Sequence, residues 1–189
     1  MGRLVYQMSV SLDGFVETRD REIDWTAPDD ELHGFVNEQA RNTSAFLWGR
    51  RTYELMNAFW PTADADPSAP ARMVEFARIW RPKPKVVFSK TLSRVEWNAR
   101  LVQRDPREEV AELKQVFDGD LWVGGPGLAS TFARLDLIDE YRLILRPVIL
   151  GGGTPFFPPL AQRLVLRLAE ARAFGGGVLF IRYVRRPGN

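Results

Sequence analysis

Residues 46–56 read FLWGRRTYELM. An apolar run stops at Gly49, two arginines and Thr52 follow, and apolar side chains return three apart at Tyr53 and Met56. A short apolar run ending at glycine fits a buried strand, and a spacing of three to four residues is that of a helix. The stretch therefore predicts a strand handing over to a helix, with two full positive charges at the junction. Those charges have two explanations: a solvated loop, or a seat for something negatively charged.

Working outward, the same handover recurs. LVYQMSVS alternates from Leu4 and predicts a strand, and DDELHGFVNEQA puts Leu32, Phe35, Val36 and Ala40 on one helical face. ARMVEFARIW repeats Met73, Phe76, Ala77 and Trp80 as a second amphipathic helix, and KVVFS follows as a strand. In DPREEVAELKQVFDG, Asp105 can cap, Pro106 suits the first turn, Glu108 has capping-box spacing and Gly119 can end the helix. DLWVGG then reads as a strand and GLASTFARL as a helix. The chain closes on EYRLILRPVIL, RLVLRLAEAR and GVLFIRYVRR, all strand-like, the last two joined through glycines 175–177. Alternation followed by consecutive strands predicts an α/β fold, a sandwich whose mixed sheet is mostly parallel with an antiparallel C-terminal part. At 189 residues it reads as a single domain, 1–189.

The totals exclude several classes. With no cysteine there is no disulfide framework, thiolate metal site or cysteine nucleophile, and His33 as the sole histidine rules out a His-rich metal site. Lys plus Arg is 26 against 24 for Asp plus Glu, a net +2 that is no polyanion-binding signature and suits a small anionic ligand as well as it suits none. The N-terminus MGRLVYQMSV lacks a signal-peptide pattern, and no apolar run approaches the roughly 18 residues of a membrane span, so a cytoplasmic protein is expected.

In sheets of this kind ligands bind at the carboxyl ends of strands. A helix N-terminus there offers unpaired N–H groups and about half a positive charge. Gly49-Arg50-Arg51-Thr52 is one such junction; VGGPGLAS, with Gly124, Gly125 and Gly127 before a helix, is another. The second is not a Rossmann fingerprint, because Ser130 takes the third glycine's place; a glycine turn serving only packing is the alternative. Ser89 and Lys90, closing KVVFSK, are either a further phosphate contact or a polar strand end. In WTAPDDEL, Asp29 or Asp30 either caps a helix or lends a carboxylate to a pocket.

Taken together and in order, SVSLDGF, GRRTYELMNAFW, VVFSKTL, LWVGGPGLASTF and IDEYRLILRPVILGGGTPFF resemble the dihydrofolate reductase-like superfamily. Within it the chain is most similar to the reductase (RibD C-terminal) domain of riboflavin biosynthesis in its stand-alone form. The resemblance implies a three-layer α/β/α sandwich and an NADPH-dependent reductase. Gly49, Arg50, Arg51 and Thr52 would hold cofactor phosphates, Ser89 and Lys90 the 2′-phosphate end. Gly124, Gly125, Gly127 and Leu128 would pack against the pyrophosphate and nicotinamide. WTAPDD is similar to a folate-reductase stretch that maps the pterin-binding acid onto Asp30, the candidate catalytic and substrate residue, and SLDG makes Asp13 a second substrate candidate. Gly34, where folate reductases carry an aromatic, argues against folate. The implied substrate is a heterocycle, a phosphoribosylamino pyrimidine of the 5-amino-6-(5-phosphoribosylamino)uracil type. Rival readings are a pterin reductase and a non-catalytic nucleotide-binding module. Nucleic-acid binding through IRYVRRPGN is disfavoured by the small net charge, and a homodimer through GGGTPFFPPL is an expectation.

Overall fold

A computed structural model describes residues 1–186. The strands, in chain order, are β1 (Arg3–Ser11), β2 (Phe15–Glu17), β3 (Thr43–Gly49), β4 (Lys85–Phe88), β5 (Ala99–Val102), β6 (Asp120–Gly124), β7 (Glu140–Arg146), β8 (Thr154–Pro155), β9 (Leu166–Ala173) and β10 (Leu179–Arg185). The α-helices are α1 (Asp30–Asn42), α2 (Arg50–Phe59), α3 (Ala71–Trp80), α4 (Pro106–Val116) and α5 (Pro126–Arg134). Eight strands form one sheet in the order β5-β4-β3-β6-β1-β7-β10-β9, and β2 pairs with β8 apart from it. Every pair from β5 to β7 is parallel, whereas β10 runs antiparallel to both β7 and β9. The mostly parallel sheet with an antiparallel C-terminal part is thus as the alternation predicts.

Side chains alternate across a strand, and the registers divide the core accordingly. On one face Phe46, Trp48 and Val87 meet Tyr53 of α2, Phe76 and Trp80 of α3 and Ala40 of α1. Leu32, Phe35 and Val36 of α1 continue that layer onto Ile144 and Phe180. On the other face Leu4, Tyr6, Leu47, Leu121 and Val123 meet Val110 and Leu113 of α4 and Ala129 and Phe132 of α5. The result is three layers, α/β/α.

Local chemistry sets the element ends. The Asp29 carboxylate accepts the Leu32 amide at 2.8 Å and caps α1, and Asp105 accepts the Arg107 amide at 2.7 Å, with Pro106 opening α4. α4 ends at Val116, ahead of Gly119, which instead packs against Ser44. Lys85 is wholly buried in β4; its Nζ donates to the carbonyls of Trp80 (2.7 Å), Trp97 (2.8 Å), Lys83 (2.9 Å) and Arg81 (3.3 Å). One ammonium thereby satisfies the Trp80 and Arg81 carbonyls left over at the end of α3 and ties them to the turns at Lys83 and Trp97. Burial pulls its pKa down to about 8, which still leaves it charged at neutral pH. Of the basic C-terminal stretch, Arg182 pairs with Glu170 and Arg185 with Asp136, while residues 187–189 lie outside the described part. Among the described residues no helix is long and apolar enough to cross a membrane.

Candidate functional site

Because β3, β4 and β6 are parallel neighbours, the turns that leave them meet at one edge of the sheet. The registers pair Trp48 with Gly124 and Gly49 with Phe88, so the ends lie level. α2 and α5 start there, capped by Gly49 and Gly125 with no side-chain hydrogen bond to either helix end. Two helix N-termini therefore present unpaired N–H groups side by side.

A cavity of about 1050 Å³ opens at this edge. Gly49, Arg50, Arg51 and Thr52 line it from the first turn, and Gly124, Gly125, Gly127 and Leu128 from the second. Its apolar wall comes from Phe46, Trp48, Trp122, Met56, Phe76 and Phe88. Two glycines shape the rim. Gly125 has φ +89°, and a Cβ there would lie 2.0 Å from Thr52 Oγ1, so this turn sits directly on the first turn of α2. A Cβ at Gly127 would meet nothing within 4 Å, which leaves the α5 backbone open to close approach. Uncapped helix starts, open glycine backbone and a nearby guanidinium are the donor set a pyrophosphate needs, and they fit such a group.

The two arginines part company. Arg50 is half exposed, with Nε on Glu54 at 2.8 Å and Nη1 on the Thr91 hydroxyl at 3.1 Å. Arg51 turns to Glu17 and meets both carboxylate oxygens, at 2.9 and 2.8 Å; Thr154 donates to the same group at 2.7 Å. Glu17 is 6% exposed. Burial alone would raise its pKa, but the Arg51 and Thr154 contacts outweigh that and hold it below the ordinary carboxylate value. Arg51 thus ties β2 and β8 to the start of α2.

Ser89 and Lys90 follow β4 at the same edge but do not line the cavity. The Ser89 hydroxyl oxygen accepts the amides of Leu92 (3.1 Å) and Thr91 (3.2 Å), closing its own turn, and the Arg50–Thr91 bond joins that turn to α2.

The two aspartates stand elsewhere. Asp13 accepts the Ser11 hydroxyl at 2.7 Å and the amides of Leu150 (3.1 Å) and Gly151 (2.7 Å). It clasps the loop after β1 to the loop after β7, and does not line the large cavity. Asp30 is exposed at the first position of α1, beside the true cap Asp29, and lies off the cavity wall as well. The expected substrate contacts from Asp13 and Asp30 are therefore not built into this cavity, because one carboxylate is spent on loop amides and the other faces outward. The Gly34 position is covered by the Arg72 guanidinium, which a Cβ would approach to 3.1 Å.

Motif reading missed Glu17, Thr154, Gln7, Trp48 and Trp122, all on the cavity wall. Gln7 was findable: it breaks the alternation of a central strand at an inward position. It is 2% exposed, and its side-chain amide has no partner. Glu17 gave no local signal, because its partners lie 34 and 137 residues away.

The model of the RibD C-terminal domain matches residues 3–180. The uncharacterized protein YyaP of Bacillus subtilis is 34% identical over 182 residues, 96% of this chain and 94% of YyaP. A putative riboflavin biosynthesis protein from Shewanella sp. PV-4 superposes with a TM-score of 0.76 at 24% identity, over 97% of this chain and 99% of that one. Dihydrofolate reductase from Enterococcus faecalis, solved in complex with NADP(H), shares the fold at a TM-score of 0.65 and 11% identity, over 97% and 96% of the two chains. The match over residues 3–180 and the likeness to YyaP establish the family: the chain belongs to the RibD C-terminal domain family.

Proposed function

We propose that this chain is an NADPH-dependent reductase that transfers a hydride to the opened ribose of a 5-amino-6-(5-phosphoribosylamino)uracil-type heterocyclic precursor. The observation that carries the reading is the shared cavity: two uncapped helix N-termini, open glycine backbone and Arg50 converge on one hollow beside an aromatic wall. The amides at the starts of α2 and α5 would hold the pyrophosphate, with Thr52 packed against Gly125 to fix the gap between them. Arg50, joined to the 89–91 turn through Thr91, would meet the 2′-phosphate. Both arginines have a carboxylate partner, but Arg51 is held by both Nη atoms on the buried Glu17 and does not serve as a phosphate ligand in this reading, whereas Arg50 meets the half-exposed Glu54 through Nε alone. NADPH, when bound, supplies the hydride. The apolar wall of Trp48, Trp122 and Phe46 keeps water away from the reacting face and orients flat rings. The carboxylates on the wall, Glu17 and Glu54, are each paired with an arginine, so the proton comes from solvent rather than from Asp30.

The test is NADPH oxidation, followed by absorbance, with the aminouracil precursor and with dihydrofolate as separate acceptors. Turnover with the precursor alone is expected. Turnover with dihydrofolate alone would replace the substrate assignment, and cofactor binding without turnover on any heterocyclic acceptor would mark a non-catalytic nucleotide-binding module. Arg50→Ala is expected to weaken NADPH more than NADH; equal loss for both would move Arg50 to the pyrophosphate.

A further inference from the structure

A second hollow, of about 320 Å³, lies at the carboxyl end of β7. It shares no lining residue with the large cavity, but residues 23–27 border both: Ile23 faces the large one, Trp25 and Ala27 the small one. Arg146 reaches it from the last position of β7 and is 8% exposed. Its Nη2 donates to the Ala27 carbonyl and, at 3.5 Å, to that of Trp25. Among the described residues Nε and Nη1 make no hydrogen bond and no carboxylate forms an ion pair with this guanidinium.

Arg146 is unlike the other buried charges of the molecule. Glu17 is paired with Arg51, Glu109 with Arg100 and Arg104, and Glu140 with Arg142. Lys85 spends its donors on four carbonyls. Asp29 acts on this guanidinium across the hollow and is not in ion-pair contact with it, so a buried cation with unbonded Nε and Nη1 keeps capacity for an anion arriving from outside. A second donor points the same way: Trp25 Nε1, on the wall of the same hollow, is buried and has no partner. The opposite wall carries Asp29, whose Oδ1 is held by the Leu32 amide; its Oδ2 would lie 3.2 Å from a Cβ on Gly175. That oxygen can accept a ligand hydroxyl or N–H next to the anion.

We infer that this hollow is an oxyanion-binding subsite, in which Arg146 Nε and Nη1 and the Trp25 indole N–H take the carboxylate or phosphate of a small hydroxylated ligand. The volume suits a sugar phosphate or hydroxy acid better than a bare ion. The anion has two sources, the tail of the acceptor that reacts in the neighbouring cavity or a separate small acid.

The experiment is calorimetric titration with inorganic phosphate and with glycerol 3-phosphate, with no NADPH present, so that it stands or falls apart from the reductase reading. Wild type is expected to give a saturable binding event, tighter for glycerol 3-phosphate. Arg146→Met should weaken it roughly 30-fold or more, since a bidentate charged contact is lost. Trp25→Phe should weaken it about three- to tenfold, the loss of one neutral donor. Arg50→Ala separates any phosphate taken up by the helix starts of the large cavity: the event that Arg146→Met weakens should persist in Arg50→Ala. No event in wild type, or wild-type affinity in Arg146→Met, overturns the assignment; if Arg146→Met does not fold, unchanged affinity in Trp25→Phe does so. Where turnover is available, a raised KM of Arg146→Met for an anionic acceptor but not for its neutral analogue assigns the subsite to the substrate tail. An unchanged KM for both assigns it to a separate ligand.

Discussion

Gly125→Ala is the perturbation that bears most directly on the joint between the two helix starts. Gly125 sits at φ +89° and ψ 132°, a backbone region in which an L side chain is strained. That strain is about 1–3 kcal/mol. The new Cβ would also stand 2.0 Å from Thr52 Oγ1 and 3.1 Å from Thr52 Cβ, so the Thr52 side chain must leave its rotamer. A forced rotamer adds about 1 kcal/mol. The expected loss is therefore about 2–4 kcal/mol, a fall in Tm of roughly 6–12 °C at the middle of that range for a chain of this size. Because the turn and the α2 start lie against each other, NADPH affinity should fall with stability. Urea unfolding measures the first effect and fluorescence titration the second. Thr52→Ala in the same chain removes the hydroxyl clash but not the backbone strain, and should recover about 1 kcal/mol of the loss. Gly125→Ala with wild-type Tm and wild-type cofactor affinity would refute the reasoning.

Three further outcomes are expected. Arg51→Leu leaves the buried Glu17 carboxylate with Thr154 as its remaining hydrogen-bond donor, and should lose about 1–3 kcal/mol in urea unfolding, moderated because Arg51 is half exposed. Lys85→Met strips the carbonyls of Trp80 at the end of α3, Lys83 in the next turn and Trp97 ahead of β5 of their shared donor, and a loss of about 2–3 kcal/mol is expected by the same assay. Asn37, then Arg72 and Arg41, hold the Glu75 carboxyl down to about 2, so its stabilisation is complete above the unfolded value and disappears as pH falls towards 2. The stability gap between wild type and Glu75→Gln should accordingly close between about pH 4.3 and pH 2; a gap that stays constant across that window would show that the ionised carboxylate contributes nothing.

The fold was legible where a strand hands over to a helix through glycine. FLWG-RRTYELM and LWVGG-PGLASTF both show an apolar run, a glycine and then helical spacing, and both are strand–helix units in the structure. β5 was not legible: Trp97 and Asn98 before it take positive φ, and four residues are too few to show an alternation. β2 and β8, at three and two residues, are set by their pairing rather than by pattern. The glycine turns of the site could be read because backbone geometry is local. The direction of Arg51 could not, since Glu17 and Thr154 fix it from distant parts of the chain. The surroundings of Asp13 and Asp30 could not be read for a related reason: a carboxylate near a turn looks the same in sequence whether it meets a ligand, a loop amide or water. Arg146 carries no local signal within EYRLILRPVIL, and its burial without an ion pair is visible only with its neighbours in place.

The most direct measurement is an NMR titration of the isotope-labelled protein with NADPH. The account predicts saturable binding at one molecule per chain, with the amide shifts of Gly49, Thr52, Gly125, Gly127 and Leu128 moving together and NADH binding more weakly. Absence of binding, or shifts confined to other parts of the sheet while these amides stay still, would contradict it.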